Sequence, residues 1–189
     1  MKKLIEVRWH GRGGQGAKTA AQFLAEAALD SGKFIQAFPE YGPERAGAPM
    51  RAYTRISDSV INVHSGVTSP DAVVVIDSTL LTPEVLDGLP ENGVLVVNTR
   101  ESVGDIRKKL DYNTGKVAVV DATKIALETI KAPMTNTAML GALIKVVPVV
   151  PLDVIQEKMK KKFLKKLGEQ KTASNLEAIK RAYDEVKIG

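Results

Sequence analysis

Gly11, Gly13 and Gly16 stand in the order G-x-G-x-x-G within the stretch WHGRGGQGAKT, and Gly14 adds a fourth glycine in six positions. An ordered glycine costs up to about 1 kcal/mol of backbone entropy, so this density implies that something approaches the backbone closely. The apolar run Leu4–Trp9 precedes the stretch and a helical pattern, Ala17–Leu29, follows it, which makes it a strand-to-helix turn. At such a turn the free N–H groups of the first helical residues, aligned with the helix dipole, favour a phosphate. Arg12 and Gln15 are interleaved, and Arg12 adds a positive charge. The alternative is a tight turn and nothing more.

Two phosphate chemistries match incompletely. A nicotinamide site wants an acid at the end of the second strand, about 20 residues on, to hold the ribose hydroxyls. Here the strand FIQAF ends in Phe38-Pro39, and Glu40 lies beyond the proline. A P-loop needs its lysine directly after the last glycine, whereas Ala17 separates Gly16 from Lys18-Thr19. One extra helical residue turns that lysine by about 100° away from the phosphate. Lys18 is therefore read as a solvated helix residue.

A second dense stretch, FPEYGPERAGAPMRAY (Phe38–Tyr53), holds Glu40, Tyr41, Glu44 and Arg45 in a loop stiffened by prolines. Arginine's planar fork suits phosphate or carboxylate, while the plain reading is a rigid exposed loop.

The elements that must position these loops follow from the pattern. Apolar runs alternate with helical segments: strands at Leu4–Trp9, Phe34–Phe38, Met50–Ser57, Ala72–Asp77, GVLVVN and KVAVVD, with Val60–Val63 expected to close a hairpin around Asp58–Ser59. After Asp121 the chain reads as helices Ala122–Lys131, Asn136–Val147, Leu152–Phe163 and Asn175–Lys187. Repeated strand–helix units predict a Rossmann-like α/β fold, a mostly parallel but mixed sheet with helices on both faces. The chain is expected to be one domain over 1–189, an α/β core over 1–150 followed by C-terminal helices over 151–189.

Composition removes several chemistries. The 189 residues include no cysteine, which excludes disulfides, thiol catalysis and iron–sulfur ligation, and two histidines are too few for a histidine-rich metal site. No resident metal or catalytic constellation is expected. The hydrophobic fraction of 44% and charged fraction of 26% are those of a globular protein, so disorder is not the default. No apolar run reaches the roughly 18 residues of a membrane span, and the start lacks a signal peptide, which predicts a cytoplasmic protein without membrane contact.

Together, GRGGQG and PEYGPERAGAP resemble the gamma subunit of the 2-oxoacid:ferredoxin oxidoreductases, in the PER-x-GAP form of the pyruvate branch or its 2-oxoisovalerate relative. The resemblance continues through VVVIDSTLL, VLVVNT and TNTAMLGALIKV, to about Val150. It implies a subunit of a hetero-oligomer with alpha, beta and delta partners that oxidatively decarboxylates a 2-oxoacid, reduces ferredoxin and forms an acyl-coenzyme A. Thiamine diphosphate, Mg and the iron–sulfur clusters would belong to the partners, and this chain would contribute to coenzyme A binding and assembly. Residue by residue, the resemblance implies a ligand loop at Gly11, Arg12, Gly13, Gly14, Gln15 and Gly16. Tyr41, Glu44, Arg45 and Gly47 would line the ligand or dock the catalytic subunits. Asn136, at a helix start, would touch the ligand or cap the helix. The missing ribose acid suits a 3′-phosphate, which a carboxylate would repel. The rivals are a free-standing nicotinamide-dependent oxidoreductase and a non-catalytic assembly module.

The segment KMKKKFLKKLGEQK (Lys158–Lys171) sets Met159, Phe163 and Leu167 four apart, an amphipathic helix with a lysine face. A solvated face or an acidic neighbouring subunit explains it better than nucleic acid, since no reader motif accompanies it. His10 either meets the ligand or is packed, and His64 carries no signal.

Overall fold

The computed structural model describes residues 4–40 and 46–189. Its strands are β1 (Leu4–Arg12), β2 (Phe34–Pro39), β3 (Pro49–Ser57), β4 (Ala72–Val75), β5 (Val94–Asn98), β6 (Lys116–Val120) and β7 (Lys187–Ile188). Among the described residues they form one sheet in the order β2-β3-β1-β4-β5-β6-β7. The pairings β1–β4, β4–β5 and β5–β6 are parallel, and β2–β3, β3–β1 and β6–β7 are antiparallel. The sheet is therefore mixed, with a parallel block at its centre, and helices lie on both faces.

Helices α1 (Ala17–Asp30), α3 (Ala122–Thr129), α4 (Asn136–Val146) and α5 (Leu152–Glu185) share the core on one face with Val7 and Trp9 of β1. Helix α2 (Val103–Leu110) and a 3-10 turn at Pro83–Leu86 cover Val73, Val75, Leu95 and Val97 on the other. Every residue of β4 is buried, as a strand covered on both faces requires. Alanines at positions 20, 21, 27 and 28 let α1 lie close to the sheet, while Phe23 and Leu24 each contribute roughly 1.5–3 kcal/mol by burial. Buried Thr54 links the layers: its hydroxyl donates to the Ala21 carbonyl at 2.9 Å and accepts from the Trp9 indole N–H at 3.1 Å.

The expected hairpin around Asp58–Ser59 does not form. Both edges of β3 are already taken, by β1 and β2, so Val60–Val63 has no ladder to join. The Gln36 amide donates to the carbonyls of Ile61 and Val63 instead, and Arg55 donates to those of Val63, Ser65 and Gly66. Among the described residues no helix is long and apolar enough to cross a membrane.

The two expected C-terminal helices join into α5, broken at Gly168 by a left-handed φ of 78°. Met159 is buried and Phe163 meets Phe23 with ring centres 6.1 Å apart, whereas Leu167 is exposed. Part of the lysine face is internal: Lys158 lies 3.0 Å from Asp30 and Lys162 lies 2.8 Å from Glu26, both on α1. Lys160, Lys161, Lys165 and Lys166 face outward. After α5 the chain returns to the sheet as β7 beside β6, an element that the apolar pattern did not announce.

Helices α4 and α5 touch backbone to side at Gly141, where an added Cβ would stand 2.1 Å from the Ile179 carbonyl oxygen. Gly141→Ala must push the helices apart, and overpacking of this kind costs about 1–3 kcal/mol. The urea midpoint is expected to fall accordingly. Gly104→Ala, on exposed α2 with only Ser102 Oγ nearby at 3.7 Å, should leave the midpoint unchanged or raise it slightly.

Candidate functional site

The carboxyl ends of the parallel strands gather one cluster of polar groups, the edge at which open α/β sheets bind ligands. Strand β1 ends in Gly11-Arg12, and α1 starts at Ala17 after a turn with Gly14 at φ 95° and Gly16 at φ 83°. A side chain at Gly11 would meet the Ala17 Cβ at 3.2 Å, so Gly11 sets the close approach of strand and helix. Gly16 is the N-cap of α1, left-handed and without a capping side chain, and no acid occupies the first turn. That helix start is left electropositive.

The turn is held by side chains. The Arg12 N–H donates to Gln15 Oε1 at 2.7 Å, and the Gln15 N–H donates back to the Arg12 carbonyl at 3.0 Å. Gln15 Nε2 then donates to Asp77 Oδ2 at 2.6 Å. The Arg12 guanidinium donates to Thr79 Oγ1 and to the Gly47 carbonyl, and its Nε lies 3.3 Å from Asp77 Oδ2. Thr79 donates to Asp77 Oδ1 through its amide, at 2.9 Å, and its hydroxyl, at 2.7 Å. Burial by itself would raise the Asp77 pKa. The bonds from Thr79 and Gln15, with the charge of Arg12, outweigh it and hold the carboxyl below the usual carboxylate range.

The two sequence loops meet backbone to backbone. The Gly13 N–H donates to the Ala48 carbonyl at 2.9 Å, and the Gly47 N–H donates to the Gly13 carbonyl at 3.1 Å. Gly13's amide is thus spent on the second loop, while those of Gly14 and Gly16 have no partner among the described residues. Asn136 arrives from α4: an added Cβ at Gly16 would lie 2.5 Å from its Nδ2. Its Oδ1 is buried and unpartnered, and the N-cap of α4 is Thr135, so Asn136 is not a cap. Tyr41, Glu44 and Arg45 lie outside the described residues. Lys18 is exposed, as expected for a solvated helix residue.

Sequence reasoning missed Asp77 and Thr79. Asp77 closes the apolar run AVVVID at the carboxyl end of β4, which lies parallel to β1, so it reaches the glycine turn from the neighbouring strand. Its oxygens are already taken by Gln15, Arg12 and Thr79. The signal available was an acid at the carboxyl end of a fully buried strand.

His10 is packed. It is 6% exposed and accepts from Arg8 Nε at 3.0 Å. Burial, then the charges of Arg8 and Arg51, press its pKa down to about 3.

A family model described as pyruvate ferredoxin/flavodoxin oxidoreductase matches residues 6–185. The chain is 55% identical over 186 residues to the pyruvate synthase subunit PorC of Thermotoga maritima, covering 98% of this chain and 96% of the relative. It is 49% identical over 177 residues to the pyruvate/ketoisovalerate oxidoreductases common subunit gamma of Thermococcus kodakarensis, covering 93% and 96%. The crystal structure of the pyruvate oxidoreductase subunit PORC from Thermotoga maritima superposes with a TM-score of 0.90 at 52% identity, covering 100% and 99% of the two chains. The 2-oxoglutarate:ferredoxin oxidoreductase from Magnetococcus marinus shares the fold, with a TM-score of 0.77 at 21% identity over 97% of this chain and 31% of that one.

Two outcomes follow from this geometry. Gly16→Ala meets both a left-handed φ and the Asn136 amide, so a loss of about 2 kcal/mol is expected in urea denaturation. Adding Asn136→Ala should recover the steric part. His10 stays neutral in the folded chain to about pH 3, whereas unfolded histidine takes a proton near ~6.5. Stability is therefore full above that unfolded value and falls as the pH drops from there toward 3, by up to roughly 5 kcal/mol. His10→Gln, which keeps an acceptor for Arg8, should flatten the urea midpoint across that range.

Proposed function

The chain belongs to the pyruvate ferredoxin/flavodoxin oxidoreductase family as a gamma-type subunit, and from that membership we propose that it supplies the assembled enzyme with part of its coenzyme A site. It is a subunit of pyruvate:ferredoxin oxidoreductase, an oxidoreductase acting on 2-oxoacids. The observation that carries the coenzyme A reading is the start of α1. Two amides without a partner among the described residues, those of Gly14 and Gly16, stand there with no acid in the first turn and no side chain capping it.

A pyrophosphate fits that place for a physical reason. The unsatisfied N–H groups carry partial positive charge, and Gly14 leaves open space where a Cβ would be. Arg12, about one-third exposed, neutralises Asp77 and keeps that carboxylate from opposing a nearby anion. Asn136 braces Gly16, its Nδ2 lying 2.5 Å from where a Cβ there would stand. Gly47 and Ala48 clip the second loop onto the first, so Gly47 acts by positioning Gly13. Coenzyme A, when bound, presents the thiol that takes the acyl group, and this chain's residues hold its phosphates.

The remaining chemistry belongs to other chains on this reading. With no cysteine, this subunit has no thiolate for an iron–sulfur cluster. Among the described residues no group of three or more His, Asp or Glu side chains is placed to hold a metal ion. Thiamine diphosphate, Mg and the clusters are assigned to alpha, beta and delta partners in a cytoplasmic complex that passes electrons to ferredoxin.

Gly14→Asp tests the proposal. Aspartate tolerates the left-handed φ better than most residues, and nothing lies within 4 Å of the new Cβ. In the assembled complex the KM for coenzyme A is expected to rise about tenfold or more, with subunit assembly intact. An unchanged KM with lost assembly would instead assign the chain an assembly role. Selective binding of NADH over coenzyme A, measured by calorimetry, would overturn the reading.

A further inference from the structure

The face of β1, β3 and β2 turned away from α1 carries charged side chains in transverse rows. Register places Glu6, Arg55 and Gln36 in one row, Arg8, Tyr53 and Phe38 in the next, and His10 beside Arg51 in the third. Two of these arginines are buried to a similar degree, Arg55 at 1% exposure and Arg8 at 4%. Their circumstances differ. Arg55 is paired with Glu6 at 2.7 Å and donates further to Gln36 and to three carbonyls.

Arg8 has no carboxylate at ion-pair distance among the described residues, although Asp87 and Glu40 act on it from farther off. Its Nε donates to His10 and its Nη2 to the Val85 carbonyl at 2.9 Å, and no partner for Nη1 exists among the described residues. Burial, and then the charge of Arg51, push its pKa below the ordinary value. A buried guanidinium facing a second arginine with a donor unspent favours an incoming anion.

Arg8 lines a cleft of about 480 Å³, within the range of small-ligand sites. Phe38, Pro39 and Val67 give it apolar wall, and Arg51 adds a second cation. Glu40 also lines it, accepting from the Tyr53 hydroxyl at 2.5 Å and lying 3.8 Å from Arg51; Asp87 is the second acid. Two resident carboxylates disfavour a dianion more than a monoanion, since repulsion scales with ligand charge.

We infer that this cleft binds a small organic monocarboxylate, its charge on Arg8 and Arg51 and its apolar body against Phe38, Pro39 and Val67. The site uses no residue of the glycine loop and does not rest on the coenzyme A reading.

Calorimetric titration of the full chain with benzoate tests it, with benzamide and inorganic phosphate as controls. Expected are saturable one-to-one binding of benzoate, weaker binding of both controls, and a loss of about tenfold or more in Arg8→Gln. Arg51→Gln should weaken binding several-fold. Its side chain is 42% exposed, so this variant decides the matter where Arg8→Gln fails to fold. Arg100→Gln, outside the cleft and paired with Asp121, should bind as the parent does. Silence toward benzoate, benzamide or phosphate binding as tightly, or binding that survives both cleft substitutions each overturns the inference.

Discussion

The Asp77 carboxylate accepts from Gln15 and Thr79 and is ion-paired with Arg12, and the glycine turn takes its shape from that convergence. Burying a carboxylate is unfavourable until its lone pairs are filled, and each charge-assisted bond contributes about 1.5–3 kcal/mol. Here one acid draws the exit of β1, the exit of β4 and, through Arg12 and Gly47, the approach to β3 into one rigid corner. Because side chains hold the turn, the amides of Gly14 and Gly16 need not. On the coenzyme A reading they meet the ligand in a geometry set beforehand, which lowers the ordering cost of binding.

Strand β1 makes that corner possible. It pairs parallel with β4 on one side and antiparallel with β3 on the other. The parallel side brings Asp77 level with the glycines. The antiparallel side continues past Arg12 and Pro49 into the bonds between Gly13, Gly47 and Ala48, so two loops more than thirty residues apart become one surface. The same pairing lines up the arginines of the opposite face. Arg55 finds Glu6 because Glu6 stands across from it in register, and Arg8, across from Tyr53, finds no acid there. A difference of one row separates a structural ion pair from a guanidinium with a donor left over.

Much of this was legible in the residues themselves. The left-handed angles at Gly14 and Gly16 are what the glycine density required, and the start of α1 lies at Ala17, where the helical pattern begins. The buried runs of valine became the central strands, because a run apolar at every position has both faces covered. Of the second-loop residues named from the sequence, Gly47 is the one among the described residues, and it meets the glycine turn at Gly13. The expected hairpin at Val60–Val63 failed for a reason that no local window contains: β3 had already given both edges to strands elsewhere in the chain. Asn136, read in sequence as a ligand contact or a helix cap, is not the cap of α4 but the residue that closes on Gly16, a contact made across 120 positions.

What the sequence by itself determined is local: the turn, the helix start, the apolar strands, the absence of cysteine chemistry and the motif pair that marks the family. These depend on backbone freedom, side-chain period and residue type, which act over a few positions. Only the tertiary structure decided which charges would be spent and which left over. Arg12, a ligand candidate in sequence, is held by Asp77, Thr79 and Gly47, while Arg8, unremarked there, faces an open cleft. Every arginine carries the same charge in sequence. Its partners are set by strand register and burial, which long-range pairing alone establishes.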